Sequence, residues 1–337
     1  MILVSFFSSF SNTINESIFE GESINLDVVN KYDVSESLQI IAGVNYQEHH
    51  NKTTSPFGNI DEDLANFNTL DPYLSVVYFS NFGLNINVGS RLNMHSNYGN
   101  HFVYDANISY NLLQSKSSNL KLLTSYGTAF IAPSTYQLFS VFGETNLDPE
   151  TSETFEAGFD VNFDRKISLS TVYFNRTENS AIIFQGLNVA PFGIYTNSDE
   201  KIKVSGIETA LNLSLIDQIS LGINYTYTDK ETDVDYIPKH KLVANLGINP
   251  TQNSFVSVVY KNVGERTARF FDNNTFTTVE TTLPNYSLLD LNANYKLLNE
   301  TVTFFSAVSN LFNEDYEDIL GYSTLGRNYK IGVRLFF

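Results

Sequence analysis

The sequence predicts an all-β fold, an antiparallel transmembrane β-barrel. Three observations carry that expectation. Apolar and polar residues alternate with period two, the strands are longer than those of ordinary globular sheets, and the connections are short and long by turns. Composition fits. The 337 residues include 27 Phe and 20 Tyr but no Trp and no Cys, and only 17% are charged, against about 25% in soluble domains. Without cysteine, neither a disulfide framework nor a thiolate metal site can form. The formal net charge of −17 argues against a nucleic-acid partner, because phosphate contacts need clustered Lys and Arg. No stretch reaches the roughly 18 continuous apolar residues of a membrane-spanning helix.

The N-terminal "MILVSFFSSFSN" has no basic region ahead of its short apolar run, so it reads as a strand and not as an export signal. In 38–47, Leu38, Ile40, Ala42, Val44 and Tyr46 share one face. In 82–93, Phe82, Leu84, Ile86, Val88 and Leu92 oppose Gly83, Asn85, Asn87, Gly89, Arg91 and Asn93. In 218–228, "QISLGINYTYT", Ile219, Leu221, Ile223, Tyr225 and Tyr227 oppose Ser220, Gly222, Asn224, Thr226 and Thr228. The segment 286–296 repeats the pattern with Leu289, Leu291, Ala293 and Tyr295. In 202–213 the apolar parity changes at Ser205-Gly206, which predicts a β-bulge there.

About sixteen segments alternate in this way. Many run to roughly 10–14 residues, against about 5–6 in globular sheets and about 9–11 for a tilted bilayer crossing. Short connections fall near 78–83, 162–167, 214–219, 249–254 and 297–302. Long polar ones fall near 48–68, 94–102, 130–151, 229–238, 263–283 and 312–325. An up-and-down chain puts every second connection on the same side, and barrels of outer membranes have short turns on one side and long loops on the other.

Alternation alone is shared by soluble sandwiches. Two features favour lipid. The polar face is built from Gly, Ser, Asn and Thr, as a wet lumen tolerates. Aromatic residues such as Tyr46, Phe82, Tyr110, Tyr126, Tyr260 and Tyr295 stand at the ends of apolar faces, as in interfacial girdles. In bilayer hydrocarbon a spanning sheet must satisfy its own backbone.

Chemistry is sparse. The five histidines are His49, His50, His95, His101 and His240, the first four in two expected outward loops. No nucleophile motif accompanies them, so no enzyme is expected. The loop "HHNKTTSPFGNIDED" (49–63) lacks the spacing of a calcium site and reads as a solvated acidic loop. No metal site and no cofactor is expected. Ligand contacts should come from aromatic residues at outward loop tips. The candidates are Tyr136, Phe139 and Phe142, then Phe192 and Tyr195, Phe270 and Phe271, and Tyr322, with self-packing of the loops as the alternative reading of each.

Three stretches carry a resemblance: 125–160, 204–213 and 309–337. Ala132-Pro133 with Gln137-Leu138, then Gly143, Asn146-Leu147, Pro149-Glu150 and Glu156-Ala-Gly158, resemble the C-terminal barrel half of TonB-dependent outer-membrane receptors. So do Gly206-Ile-Glu208, Asn310-Leu-Phe312 before Tyr316, Gly321-Tyr322, Gly326-Arg327 and the aromatic C-terminus. "SYGTAF", "NLDPE" and "NLFNEDYE" look most like the cobalamin (vitamin B12) receptor branch, while ferric-siderophore receptors share much of the pattern. The resemblance implies about sixteen strands of a 22-stranded barrel, incompletely closed, with residues 1–337 as its C-terminal portion and no counterpart of the plug domain. It implies the outer membrane of a Gram-negative bacterium and uptake of a scarce nutrient, a corrinoid or a ferric siderophore. TonB would act through a plug segment. A passive pore is the alternative from the same architecture, and a soluble β-rich binding module the alternative from another.

The chain ends in "YKIGVRLFF". Tyr329, Ile331, Val333, Leu335 and Phe337 share one face, and Lys330, Gly332, Arg334 and Phe336 the other. The resemblance implies that this aromatic strand is the signal read by the outer-membrane barrel assembly machinery.

Overall fold

The computed structural model describes the chain apart from residues 1, 9–12, 56–57, 188, 192, 232–233, 273–276, 299–300 and 337, and gives only the backbone of 2–8, 13–15 and 271. Strands dominate it. The first nine are β1 (Ile2–Ser8), β2 (Thr13–Ser35), β3 (Leu38–Thr54), β4 (Phe67–Phe79), β5 (Leu84–His95), β6 (Gly99–Gln114), β7 (Asn119–Ile131), β8 (Glu150–Phe163) and β9 (Ile167–Asn179). A small hairpin follows, β10 (Ile182–Gly186) with β11 (Gly193–Asn197). Then come β12 (Ile202–Ile216), β13 (Ile219–Lys230), β14 (His240–Thr251) and β15 (Ser254–Val263). A second hairpin, β16 (Arg266–Asp272) with β17 (Thr277–Leu283), precedes β18 (Tyr286–Leu297), β19 (Val302–Ser309) and β20 (Asn328–Leu335). Two single-turn helices, α1 (Glu62–Ala65) and α2 (Thr135–Phe139), lie in loops.

Sixteen strands form one sheet in chain order, with the two hairpins standing apart as insertions in loops. The order runs from β1 to β20, and no pairing joins those two among the described residues. The expected count therefore holds, and the expected incomplete closure is what this order contains. Every second connection is tight. Between β8 and β9 the turn residues Asp164 and Arg165 take φ of 49° and 54°, and Lys166 N–H donates to the Phe163 carbonyl at 3.0 Å. Two successive positive φ values match the right-handed twist of the flanking strands. The connection expected to be long at 94–102 is also tight, because β5 and β6 continue to His95 and Gly99.

The chain divides into two compact units. The first holds residues 1–109, 125–155 and 176–202. Along its strands the apolar face is open: Ile24, Leu26 and Val28 of β2 are 60%, 59% and 63% exposed. The opposite face is polar and internally bonded. Asn45 donates to Asn25 at 2.9 Å and Gln47 donates to Asn45 at 2.8 Å. Tyr73 reaches across Gly43 to donate to Asp27 at 3.2 Å. A Cβ on Gly43 would sit 2.4 Å from that ring, so glycine there lets the tyrosine cross a neighbouring strand. Pro72 interrupts the β4–β5 ladder between Leu70↔Met94 and Tyr73↔Arg91, since it has no N–H to give.

The second unit holds residues 110–124, 156–175 and 203–337. Its ladder from Val204↔Lys230 to Ser214↔Ser220 is unbroken, with the register shift falling between Ser214 and Ile216. On the ladder to β13, therefore, the bulge expected at Ser205-Gly206 is not found. Ile202 and Val204 share the face of Gly206 and Glu208. A Cβ on Gly206 would lie 2.7 Å from the Phe174 ring and 2.1 Å from the Tyr227 carbonyl, so this glycine serves close approach of ring and backbone. In β20, Tyr329, Ile331, Val333 and Leu335 are all exposed, and Phe337 lies outside the described residues. On its other face Lys330 and Arg334 flank the Phe305 ring, which lies over Gly332.

Among the described residues no large side chain is fully buried. The apolar residues that are buried belong to loops or strand ends beside them: Ile60, Ala65, Leu138, Leu147 and Ala181 in the first unit, Val263, Ala268, Leu283 and Tyr286 in the second. A water-soluble protein of this size would bury the apolar face of its strands. Here that face stays open, as a sheet solvated by lipid requires.

Candidate functional site

The first unit carries the better-formed loop site. Pro133 ends the pairing of β7, and Ser134 then caps α2. Its hydroxyl accepts the Gln137 N–H at 3.3 Å, and Gln137 Oε1 accepts the Ser134 N–H at 2.8 Å. This reciprocal capping box seats Leu138 inward and leaves Tyr136 half in solvent. The loop is pinned to the β10–β11 hairpin. Glu150 Oε1 accepts the Ile182 N–H at 2.6 Å, and Asn197 exchanges two bonds with the Asp148 backbone at 2.8 and 2.9 Å. Glu150, a motif residue, thus has a structural role.

Four aromatic rings meet across this junction. Tyr136 and Tyr195 are 6.1 Å apart, Phe184 and Tyr195 5.3 Å, and Phe142 and Phe184 5.7 Å, all edge to face, the arrangement ring quadrupoles prefer. The Tyr195 N–H donates to the Phe142 carbonyl at 2.9 Å. Burial, with Tyr136 second, pushes the Tyr195 hydroxyl above its ordinary value, so it remains a neutral donor. Gly193 is needed here, because a Cβ would stand 2.2 Å from the Phe184 ring. Three predicted residues, Tyr136, Phe142 and Tyr195, are therefore brought together. Phe184 was missed, although "IIFQG" alternates like a short strand. Phe192 lies outside the described residues.

Phe139 instead lines a separate cavity where the loop ends of β3, β4 and β5 approach α2. There His49, Phe67 and His95 stack at 4.6 and 4.8 Å. Tyr98 meets His95 edge-on at 5.0 Å, and burial pushes the Tyr98 hydroxyl up to about 12. His95 is the last residue of β5, past the roughly 9–11 residues that cross a bilayer. Burial first, then His101 and His49, hold its imidazole below the ordinary value, so it is neutral at pH 7. Sequence reasoning placed these histidines in solvated loops; alternation could have shown that His49 and His95 share the polar face of their strands.

In the second unit, Phe270 is exposed on β16 opposite Val279, and only the backbone of Phe271 is described. Tyr322 is 70% exposed in the loop after β19. These residues are not gathered with one another as the first group is. The organised feature there is a latch. Arg266, 4% exposed, donates to the Glu317 carbonyl at 2.8 Å and stacks on Tyr286 at 5.1 Å. Tyr286 in turn donates to Asp318. Just after β19, Asn310 takes φ of 51° and bonds both backbone groups of Glu314 at 2.8 Å. Among the described residues no cluster of three or more His, Asp or Glu could hold a metal ion.

A long-stranded sheet in chain order, with an open apolar face, tight turns at alternate connections and aromatic loops, defines the wall of an outer-membrane-type β-barrel. Residues 7–311 match the family described as TonB dependent receptor-like, beta-barrel, and the chain belongs to that family. Similar solved structures include the siderophore receptor PirA from Acinetobacter baumannii, at 18% identity and TM-score 0.76, covering 95% of this chain and 55% of that one. The ferric enterobactin receptor PfeA from Pseudomonas aeruginosa, solved with enterobactin as a point mutant, is similar at 17% identity and TM-score 0.79, over 97% and 55%. The copper transporter OprC is similar at 14% identity and TM-score 0.80, over 99% and 60%. At these identities the likeness is one of fold. The chain spans little more than half the length of these proteins.

Proposed function

We propose that this chain supplies wall and outward loops of a TonB-dependent receptor. That receptor would take up a scarce, bulky nutrient across the outer membrane of a Gram-negative bacterium. TonB would act through a plug segment, and β20 would be the strand read by the barrel assembly machinery. The ligand class we favour is an uncharged, amide-rich corrinoid such as cobalamin.

One observation carries the choice of ligand. The outward loops are aromatic and acidic, and most of their cations among the described residues are already engaged, with exposed Arg327 the exception. Arg269 is paired with Asp235 at 2.7 Å and Glu280 at 2.8 Å, Lys203 with Glu231 at 2.9 Å and Lys239 with Asp229 at 3.7 Å. Lys230 donates to the Val234 and Ile237 carbonyls at 2.8 and 3.2 Å, and Arg266 is buried in the latch. A polyanionic ferric catecholate needs unengaged Arg or Lys, whereas aromatic faces suit a large neutral ligand. The similar folds of siderophore receptors keep a ferric siderophore as the second reading.

Uptake of labelled cobalamin by cells carrying the full-length gene, with a TonB-deficient strain beside it, tests the proposal. Uptake abolished without TonB is expected. Equal uptake in both strains sinks it in favour of a passive pore, and TonB-dependent uptake of a ferric siderophore alone moves the assignment to the second reading.

A further inference from the structure

The cavity beside Phe139 measures 390 Å³, a volume that suits one ring system of a ligand and not a whole corrinoid. One wall is the stack of His49, Phe67 and His95. The other is Pro133, ahead of α2, with Leu138 and Phe139 at the end of that helix. Among the described residues no Asp, Glu, Lys or Arg lines it. An ionic ligand group would enter without a counter-charge and lose its hydration, at a cost far above that of a neutral one.

One polar atom gives the cavity direction. His95 is 9% exposed, and its Nδ1 accepts the Asn97 N–H at 3.1 Å. That bond places the ring proton on Nε2. Nε2 makes no hydrogen bond among the described residues, and the side chain lines the cavity. The site therefore offers a fixed ring donor at His95, beside the hydroxyls of Tyr98 and Thr135, between aromatic and aliphatic walls.

We propose that this cavity is a subsite for an uncharged planar ring bearing an in-plane acceptor, a ring nitrogen or a carbonyl oxygen, which accepts a hydrogen bond from His95 Nε2. The proposal rests on the receptor reading and deepens it: the subsite holds one flat, neutral arm of the transported molecule. Aromatic walls supply contact area, and the His95 donor selects among rings of the same shape. A hydrocarbon isostere leaves Nε2 without a partner, which a site built to hydrogen-bond penalises.

The test uses the purified full chain in detergent at pH 8. The probes are benzimidazole, indene as the isostere without an acceptor nitrogen, and naphthalene disulfonate as a flat dianion. Benzimidazole should bind about tenfold more tightly than indene, the worth of one hydrogen bond, and the dianion should not compete with it. His95→Phe keeps the stacking ring and should erase that tenfold preference; His95→Gln, which restores a donor, should recover most of it. Thr135→Trp fills the cavity from α2 with His95 itself unaltered in sequence and should abolish binding of both neutral probes. Unchanged benzimidazole affinity in His95→Phe, or in Thr135→Trp, overturns the subsite. So does competition by the dianion. Cobalamin uptake reports separately: lost probe selectivity with intact uptake sinks the subsite alone, and retained selectivity without TonB-dependent uptake sinks the receptor reading alone.

Discussion

In β4 of the first unit, Leu70 and Leu74 stand 42% and 47% exposed, while in the loops of the same unit Leu138 and Leu147 are 5% and 4% exposed. The same side chain is handled in opposite ways within one unit. The loops bury leucine against each other, which stabilises them by about 1.5–3 kcal/mol per side chain in water. The strands leave leucine outward and keep hydrogen-bonded Asn, Asp and Tyr on the other face. The loops cover their few apolar side chains with one another; the wall depends on lipid for the solvation that a core otherwise provides. The polar groups of the wall are satisfied across strands, and the loops instead use capping and latching bonds.

The largest break in that comparison should come from the wall. Leu74→Arg places a charge in hydrocarbon and should cost about 2–4 kcal/mol of folding stability near mid-bilayer. Ser75→Arg, one residue on and facing the polar side, should cost less by at least about 1 kcal/mol. Urea unfolding from lipid vesicles reads both. The next effect belongs to the loop latch. Arg266→Met removes the bond to the Glu317 carbonyl and should ease local opening by about 2 kcal/mol. Limited proteolysis between residues 311 and 325 should quicken by roughly thirtyfold while the strands stay protected. Gly193→Ala forces the Phe184 ring aside and should loosen the aromatic cluster by about 1–2 kcal/mol, visible as lost near-ultraviolet dichroism with unchanged sheet signal.

The smallest effect is one of pH. The folded state holds His95 below its ordinary value, so below about pH 6.5 the opened loop takes up a proton that the folded one resists. Loop stability should be flat above that pH and fall as pH drops through it, by less than about 1.4 kcal/mol per unit. Hydrogen exchange at residues 94–99 should quicken at pH 5.5 relative to pH 7.5 and lose that dependence in His95→Phe. His49 and His101 face the same ring, and a dependence that survives in His95→Phe would assign the titration to them.

The wall was legible because its physics is periodic. The alternation at Ile219–Tyr227 and Leu84–Leu92, together with strand length, specified faces, order and number of strands. Where periodicity was interrupted the reading failed: the parity change at Gly206 suggested a bulge, but the glycine makes room for Phe174 from a neighbouring strand, a contact no local pattern encodes. The site was half legible. Tyr136, Phe142 and Tyr195 announce themselves as loop aromatics, and only the hairpin Ile182–Asn197 brings them together. His49 and His95 looked like solvated histidines because their stacking through Phe67 depends on register across three strands.

Each strand face meets a different solvent, lipid on one side and water on the other. The chain has no cysteine, so single cysteines at 219–226 in β13 can carry a nitroxide label in lipid vesicles. Collision with oxygen, which concentrates in lipid, and with a water-soluble nickel chelate can then be compared site by site. Labels at Ile219, Leu221, Ile223 and Tyr225 should collide with oxygen and not nickel, and labels at Ser220, Gly222, Asn224 and Thr226 with nickel. Protection of the first set from both reagents would mean a buried protein core on that face and would contradict the account.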